Sequence, residues 1–146
     1  MERELIEEGW WTMGAATAGR GIVVATDRYV AFVPTERPKN LASEVAWAGA
    51  GFVTIRIGGT IPPKWVIQQL GLGPLDRQTQ LLCSELSGQL WRPHEAFAYE
   101  RTIPLRRKHR GLWFRNGKQS IRLARAISIT EFDQVRAHLR SWTWQR

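Results

Sequence analysis

The chain of 146 residues is long enough for one domain, residues 1–146, with 43% hydrophobic and 23% charged side chains. Its one cysteine excludes an intrachain disulfide, and no window approaches the about 18 apolar residues of a transmembrane helix. The acidic N-terminus has no apolar segment typical of a signal peptide, so we expect a soluble, cytoplasmic protein.

The net charge of +8 comes from one short segment. Residues 1–73 carry seven basic and seven acidic side chains, whereas residues 74–146 carry fourteen and six. Residues 101–125 hold nine of the basic side chains and no acid. A localised positive field of this kind attracts phosphate head groups, nucleic acid or an acidic protein, although it is also typical of a solvated face with no dedicated ligand.

The first part of the chain has the composition of β-strands. Four strands are predicted, at residues 10–18, 21–26, 29–34 and 52–57. Asp27 and Arg28 are suited to a two-residue hairpin turn, and Pro34 is expected to end the strand that follows it.

The pattern changes to helical between about residues 58 and 95. Pro62 and Pro63 predict a helix start, because the first-turn N–H groups need no partner, and Gly71 predicts its end. A second helix is predicted after Pro74, and its apolar stripe consists of Leu75, Thr79, Leu82, Cys83 and Leu86. We therefore expect a helical insertion over about 58–95, with Cys83 as a buried structural thiol.

Three more strands are predicted at residues 96–105, 110–115 and 118–123. Asn116-Gly117 tolerates the positive φ values of a type I′ turn and predicts a hairpin between the last two strands. The expected register pairs Arg115 with Lys118, Trp113 with Ser120, and Leu112 with Ile121. Alternation predicts a buried face of Leu112, Phe114, Ile121 and Leu123, and an outward face of Trp113, Arg115, Lys118, Ser120 and Arg122.

A C-terminal helix is predicted from the capping box Ser128–Glu131, which satisfies two backbone N–H groups. Its apolar stripe consists of Phe132, Val135, Leu139 and Trp142. The order of elements predicts a mostly β (α+β) fold, a seven-stranded antiparallel sandwich or partly open barrel with a C-terminal capping helix.

Residues 21–32 read GIVVATDRYVAF, with a glycine, an apolar run, Thr-Asp, a basic residue and an apolar run ending in Phe. This segment, together with the element order, resembles the pleckstrin-homology-like superfold, in particular its GRAM-type and bacterial members. The resemblance implies an interaction module, because members bind phosphoinositides, other lipids, peptides or proteins. Lipid-binding members use basic residues between their first two strands, where this chain is expected to have only Gly19 and Arg20.

Catalytic motifs are not apparent in the sequence. His94, His109 and His138 lack metal-ligand spacing, and there is no nucleophile elbow or P-loop. We therefore expect no enzymatic activity, no metal and no cofactor.

The basic hairpin is the predicted binding site for an anion or partner. Its candidate residues are Arg106, Arg107, Lys108, Arg110, Trp113, Arg115, Lys118 and Arg122. Arginines that stack on Trp113 keep donors free for phosphate or carboxylate. Alternatively, the helical insertion covers this face and the arginines only surround a small satellite core.

Two functions fit these features. The first is a non-catalytic pleckstrin-homology-like module that binds a protein partner or an anionic lipid surface. The second is a nucleic-acid-binding domain that uses the same segment, with Trp113 available for base stacking, although no RNP or helix-turn-helix pattern is visible. Trp144 is either an interface anchor, consistent with a homo-oligomer, or a residue that folds back on the sheet.

Overall fold

Nine β-strands and three α-helices make up the computed structural model, which describes residues 5–14, 16–36, 61–71, 73–86, 88–103, 108–138 and 143–144. The strands are β1 (Leu5–Met13), β2 (Ala16–Ala25), β3 (Val30–Pro34), β4 (Gln89–Trp91), β5 (Phe97–Thr102), β6 (His109–Asn116), β7 (Gln119–Leu123), β8 (Ile127–Ser128) and β9 (Thr143–Trp144). The helices are α1 (Pro63–Leu70), α2 (Leu75–Leu86) and α3 (Ile129–His138). The predicted strand at 52–57 lies outside the described residues.

The strands form one sheet in the order β4-β3-β2-β1-β7-β6-β5-β9, and β8 pairs with β6. All described pairs are antiparallel except that of β5 with β9. β1 lies between β2 and β7, so it joins the N-terminal strands to the C-terminal hairpin. The sheet is not closed. The prediction of a mostly β, partly open antiparallel fold with a helical insertion and a C-terminal helix is confirmed, but the insertion is shorter than the predicted 58–95, because β4 lies within that range.

The inner face of this sheet encloses the larger of two hydrophobic cores. Its buried members are Trp11, Val23, Ala25, Val30, Phe32, Trp91, Ala96, Ala98, Leu112, Phe114, Ile121, Leu123, Ile127 and Phe132. Val135 packs against this inner core beside Phe132, which holds α3 against the sheet. The predicted contacts of Leu139 and Trp142 lie outside the described residues.

The outer face of β2 and β3 is covered by α1 and α2. The second core consists of Ile22, Val24, Tyr29, Ala31, Val33, Val66, Leu70, Leu82 and Cys83. The predicted stripe on α2 is confirmed, because Thr79, Leu82 and Cys83 are buried. The hydroxyl oxygens of Tyr29 and Thr79 share a buried hydrogen bond of 3.1 Å. β2 and β3 therefore bury both faces, whereas β6 and β7 alternate between buried and exposed residues.

The predicted strand at 10–18 is wrong, because the chain reverses within it. Gly14 has a φ of +57°, which glycine adopts without a steric penalty, and its N–H donates to the carbonyl of Lys118 over 2.8 Å. Gly19 and Arg20 consequently lie within β2 and not in a loop. The Asp27-Arg28 turn is confirmed, since the N–H of Thr26 donates to the carbonyl of Tyr29 over 2.9 Å.

The β6–β7 hairpin forms, but its register differs from the predicted one by two residues. Arg115 lies opposite Ser120, and Trp113 lies opposite Arg122. The turn is centred on Gly117 and Lys118, because Gly117 supplies the positive φ, +58°, at the first of these positions. A shift of two residues keeps every side chain on its face, so the predicted buried face is confirmed.

The start of α3 contains one half of the predicted capping box. The N–H of Glu131 donates to the Ser128 hydroxyl over 3.1 Å. The Glu131 carboxylate instead accepts hydrogen bonds from Arg125, one of them at 2.9 Å, and Arg125 also donates to Glu7 on β1 over 2.6 Å. Arg125 therefore links the first strand to the last described helix.

This cluster makes stability depend on pH. The hydrogen bonds from Arg125 hold the pKa of Glu131 below its usual 4.5, partly offset by burial. Because the folded pKa is the lower one, the carboxylate contributes stability above the unfolded pKa and loses it as pH falls through the folded pKa. We expect Glu131→Gln to lower the free energy of unfolding by at most about 1 kcal/mol at pH 7, since the Glu131 carboxylate is partly solvated.

Urea unfolding of the wild type and Glu131→Gln over a series of decreasing pH measures this contribution. The difference in free energy of unfolding between the two proteins should vanish at acidic pH, once the wild-type carboxyl is protonated. A difference that stays constant down to about pH 2 would show that the lost interaction is not ionic.

Candidate partner-binding surface

A single row of side chains crosses five strands on the outer face of the sheet. Each member lies directly opposite the next, in the order Tyr99 (β5), Trp113 (β6), Arg122 (β7), Trp10 (β1) and Arg20 (β2). Directly opposite residues have Cβ atoms about 4.5–5.5 Å apart, so these side chains are neighbours. We call this set, together with Arg101 on the same face of β5, the arginine–aromatic row. It ends at Arg20, because β3 ends at Pro34, which lies opposite Gly21, one position short of Arg20.

Rings and guanidinium groups in the row contact one another. The ring centroids of Tyr99 and Trp113 are 6.4 Å apart, with an angle of 21° between the ring planes. The guanidinium carbon of Arg122 lies 5.5 Å from the centroid of Trp113, and that of Arg101 on β5 lies 4.7 Å from it. The indole of Trp113 is therefore contacted by groups from the strands on both sides of β6.

The arginines of this region differ in their ion pairs. Arg20 donates to Glu8 over 2.8 Å, and this hydrogen bond and charge raise the pKa of Arg20. Arg125 is held by two carboxylates, as described above. Arg101 and Arg122 are exposed and have no ion pair among the residues that the structure describes. These two guanidinium groups thus have donors available to an external anion.

An open cleft of about 360 Å³ lies beside Trp113. Gly111 belongs to its lining, and a Cβ there would be 3.1 Å from the indole Nε1, so the indole lies close over this glycine. Ile103 and Ala126 also line the cleft, together with Arg101 and Arg122. The cleft therefore combines apolar lining residues with two cations that have no ion pair within the described part of the chain.

The structure brings together only part of the predicted binding set. Trp113 and Arg122 belong to the arginine–aromatic row. Arg115 is exposed on the same face of the sheet, opposite Phe97, and its Nε donates to the carbonyl of Gly117 over 3.1 Å. Lys118 is exposed in the turn.

The remaining predicted residues are not part of this row. Arg110 is two residues from the buried Leu112, so strand alternation places it on the opposite face from Trp113. Lys108 is exposed just before β6. Arg106 and Arg107 lie outside the described residues.

The helical insertion does not cover Trp113 in the described part of the chain. α1 and α2 pack on β2, β3 and β4, on the other half of the outer face. Trp113 is half-buried, whereas Arg101 and Arg122 are exposed. The arginine–aromatic row therefore stays open to solvent beside β5, β6 and β7 among the described residues.

Four residues of this surface were missing from the predicted set, namely Trp10, Arg20, Tyr99 and Arg101. Alternation along residues 97–102 could have placed Tyr99 and Arg101 on the face of Trp113, had the β5–β6 pairing been known. Trp10 and Arg20 had no signal in the sequence, because their place depends on the pairing of β1 with β7.

The other reactive side chains that the structure describes, Cys83, His94 and His109, do not form a cluster. Burial raises the pKa of Cys83 to about 12, so this thiol is protonated at neutral pH. His94 and His109 are exposed, and no group of three or more possible metal ligands occurs in the described part of the chain. No helix there is long and apolar enough to cross a bilayer.

Comparison with known proteins gives no match to a family model, a curated protein or a solved structure.

Proposed function

We propose that this chain is a non-catalytic interaction module that binds an anionic partner, a protein or an anionic surface, through the arginine–aromatic row. The observation that carries the proposal is the pair Arg101 and Arg122, two exposed guanidinium groups beside Trp113 with no ion pair among the described residues. Contact with the indole restricts their motion, so less side-chain entropy is lost when an oxyanion binds. Such a surface favours carboxylates or phosphates.

The contacts of Trp113 favour oxyanion binding over base stacking. Sequence-tolerant binding of single-stranded nucleic acid uses aromatic faces on which bases stack. Around Trp113 these faces are contacted by Tyr99, Arg101 and Arg122. The exposed groups beside these faces are the guanidinium groups of Arg101 and Arg122. Nucleic-acid binding is therefore the alternative function, and an oligonucleotide belongs in the test.

The pleckstrin-homology-like assignment is part of the same proposal. It is supported by seven antiparallel strands, β1 to β7, followed by a helix that packs on the inner core, and by the hairpin formed from residues 21–34. A common fold does not by itself transfer a function, so the binding proposal depends on the row and not on the fold.

Charge reversal at the row tests the proposed function. We expect the double variant Arg101→Glu and Arg122→Glu to weaken binding to polyglutamate or to phosphatidylserine vesicles at least tenfold at low salt, because two exposed cations become anions. The control is Lys64→Glu with Arg77→Glu, two exposed residues of α1 and α2 that change the net charge equally. Binding is measured by fluorescence anisotropy and by vesicle co-sedimentation.

Equal losses of affinity in both double variants would show that only net charge matters. That result would contradict the assignment of the row as the binding site. No binding of either probe at low salt would overturn the proposed function. Preferential, salt-dependent binding of a mixed-sequence oligonucleotide would support the alternative function instead.

A further inference from the structure

The cleft beside Trp113 presents more than positive charge. Ile103 and Ala126 are its apolar lining residues, and the indole of Trp113, which lies close over Gly111, belongs to the same lining. Its volume of about 360 Å³ lies near the lower end of the range of about 300–1,000 Å³ found for ligand sites. Arg101 and Arg122 belong to the same lining. A complementary ligand therefore has an apolar group that enters the cleft and acidic groups that reach the arginines.

From this combination we propose that the arginine–aromatic row binds an acidic peptide segment of a partner protein, in which an apolar side chain lies between two carboxylates. The proposal rests on the proposed function and names its partner. A lipid head group or a phosphodiester has oxyanions but no apolar side chain for this lining. A nucleobase needs a free aromatic face, and those of Trp113 are already contacted.

The spacing of the cations suggests the spacing of the acids. The guanidinium carbons of Arg101 and Arg122 lie 4.7 Å and 5.5 Å from the centroid of the same indole, so the sum of these two distances is the upper limit of their separation. In a polyproline II segment, residues i and i+3 lie on one face about 9.3 Å apart. An acid–apolar–x–acid sequence in this conformation places its two carboxylates at the two arginines and its apolar side chain near the cleft.

Three labelled peptides of equal length test this pairing. The first repeats Glu-Leu-Ser, the second has serine in place of every leucine, and the third has glutamine in place of every glutamate. We expect the first peptide to bind at least tenfold more tightly than the other two, measured by fluorescence anisotropy at fixed salt. Phosphatidylserine vesicles and a mixed-sequence oligonucleotide serve as the competing ligand classes.

Two variants of the cleft add to the test. Gly111→Val pushes against the indole of Trp113 without changing charge, because a Cβ there would be 3.1 Å from Nε1, and Ala124→Glu adds an acid at an exposed position of the lining. We expect each variant to weaken the binding of the leucine-containing peptide at least tenfold. Because Ala124 is exposed, the second variant is informative even where Gly111→Val perturbs folding, which circular dichroism reports.

The outcomes separate this inference from the proposed function. If the leucine-containing and serine peptides bind equally and both depend on Arg101 and Arg122, the acidic–apolar partner is wrong but the anion-binding function stands. The same holds if vesicles bind more tightly than any peptide. If no peptide, vesicle or oligonucleotide binds in a manner that depends on the two arginines, both proposals fail.

Discussion

Replacement of Trp11 by alanine is expected to lower the free energy of unfolding by about 3–5 kcal/mol. The side chain is fully buried in the inner core, where β1 is held between β2 and β7. Its indole Nε1 also donates to the side-chain oxygen of Gln119 over 3.0 Å, so the variant removes a hydrogen bond as well as a large packing volume. Such a loss is a large share of the about 5–15 kcal/mol that stabilises a typical domain.

The neighbouring residue provides a matched control. Trp10 lies on the opposite, outer face of β1, half-buried, with the guanidinium carbon of Arg20 at 5.5 Å from its ring centroid. We expect Trp10→Ala to cost about 1–2 kcal/mol, because it loses a partly exposed ring and one cation–π contact. Urea unfolding of the two variants measures both effects. Equal losses would contradict the assignment of these tryptophans to different faces.

The addition of a methyl group at Gly9 is expected to lower the free energy of unfolding by about 2–3 kcal/mol. An ideal Cβ at this position would lie 2.3 Å from Cγ2 of Val23 and 2.5 Å from the carbonyl oxygen of Arg122. The second atom belongs to the backbone of β7, which pairs with β1, so it cannot move aside without disturbing the sheet. Gly9→Ala therefore tests the close approach of β1 to both of its neighbours, with chemical or thermal unfolding as the measurement.

Gly71→Ala is the control for this substitution. Gly71 follows α1 with helical backbone angles, and the nearest atoms to an added Cβ are carbonyl oxygens at 3.6 Å, an ordinary contact. Alanine should be neutral or stabilise by up to about 1 kcal/mol, since it lowers the entropy of the unfolded chain. If Gly9→Ala changes the free energy of unfolding no more than Gly71→Ala does, the strands around β1 are less tightly apposed than the structure indicates.

Both substitutions concern β1, because this strand connects the scaffold to the candidate site. Its inward Trp11 belongs to the inner core, and its outward Trp10 lies between Arg122 and Arg20 in the row. Stability and binding are thus assigned to opposite faces of one strand. Variants on the outer face should change binding with a smaller loss of stability, which makes the surface experimentally separable from the fold.

Local sequence patterns were sufficient for the helices and for the faces of the β6–β7 hairpin. The stripe on α2, the start of α1 after Pro62 and the buried positions Leu112 and Phe114 all agree with the structure. These features depend on periodicities of 3.6 and 2 along the chain, which do not require knowledge of a partner strand. The hairpin register was wrong by two residues, an error that alternation cannot reveal because it leaves the faces unchanged.

The sequence by itself determined a mostly β fold, a helical insertion, the faces of the last hairpin and a concentration of positive charge. Only the tertiary structure decided which strands are neighbours, and so which cations lie beside Trp113. Pairing of β1 with β7 depends on contacts between distant segments, and no local pattern encodes it. For the same reason charge density indicated the segment, whereas the pairing of β6 with β5 and β7 brought Arg101 and Arg122 beside Trp113.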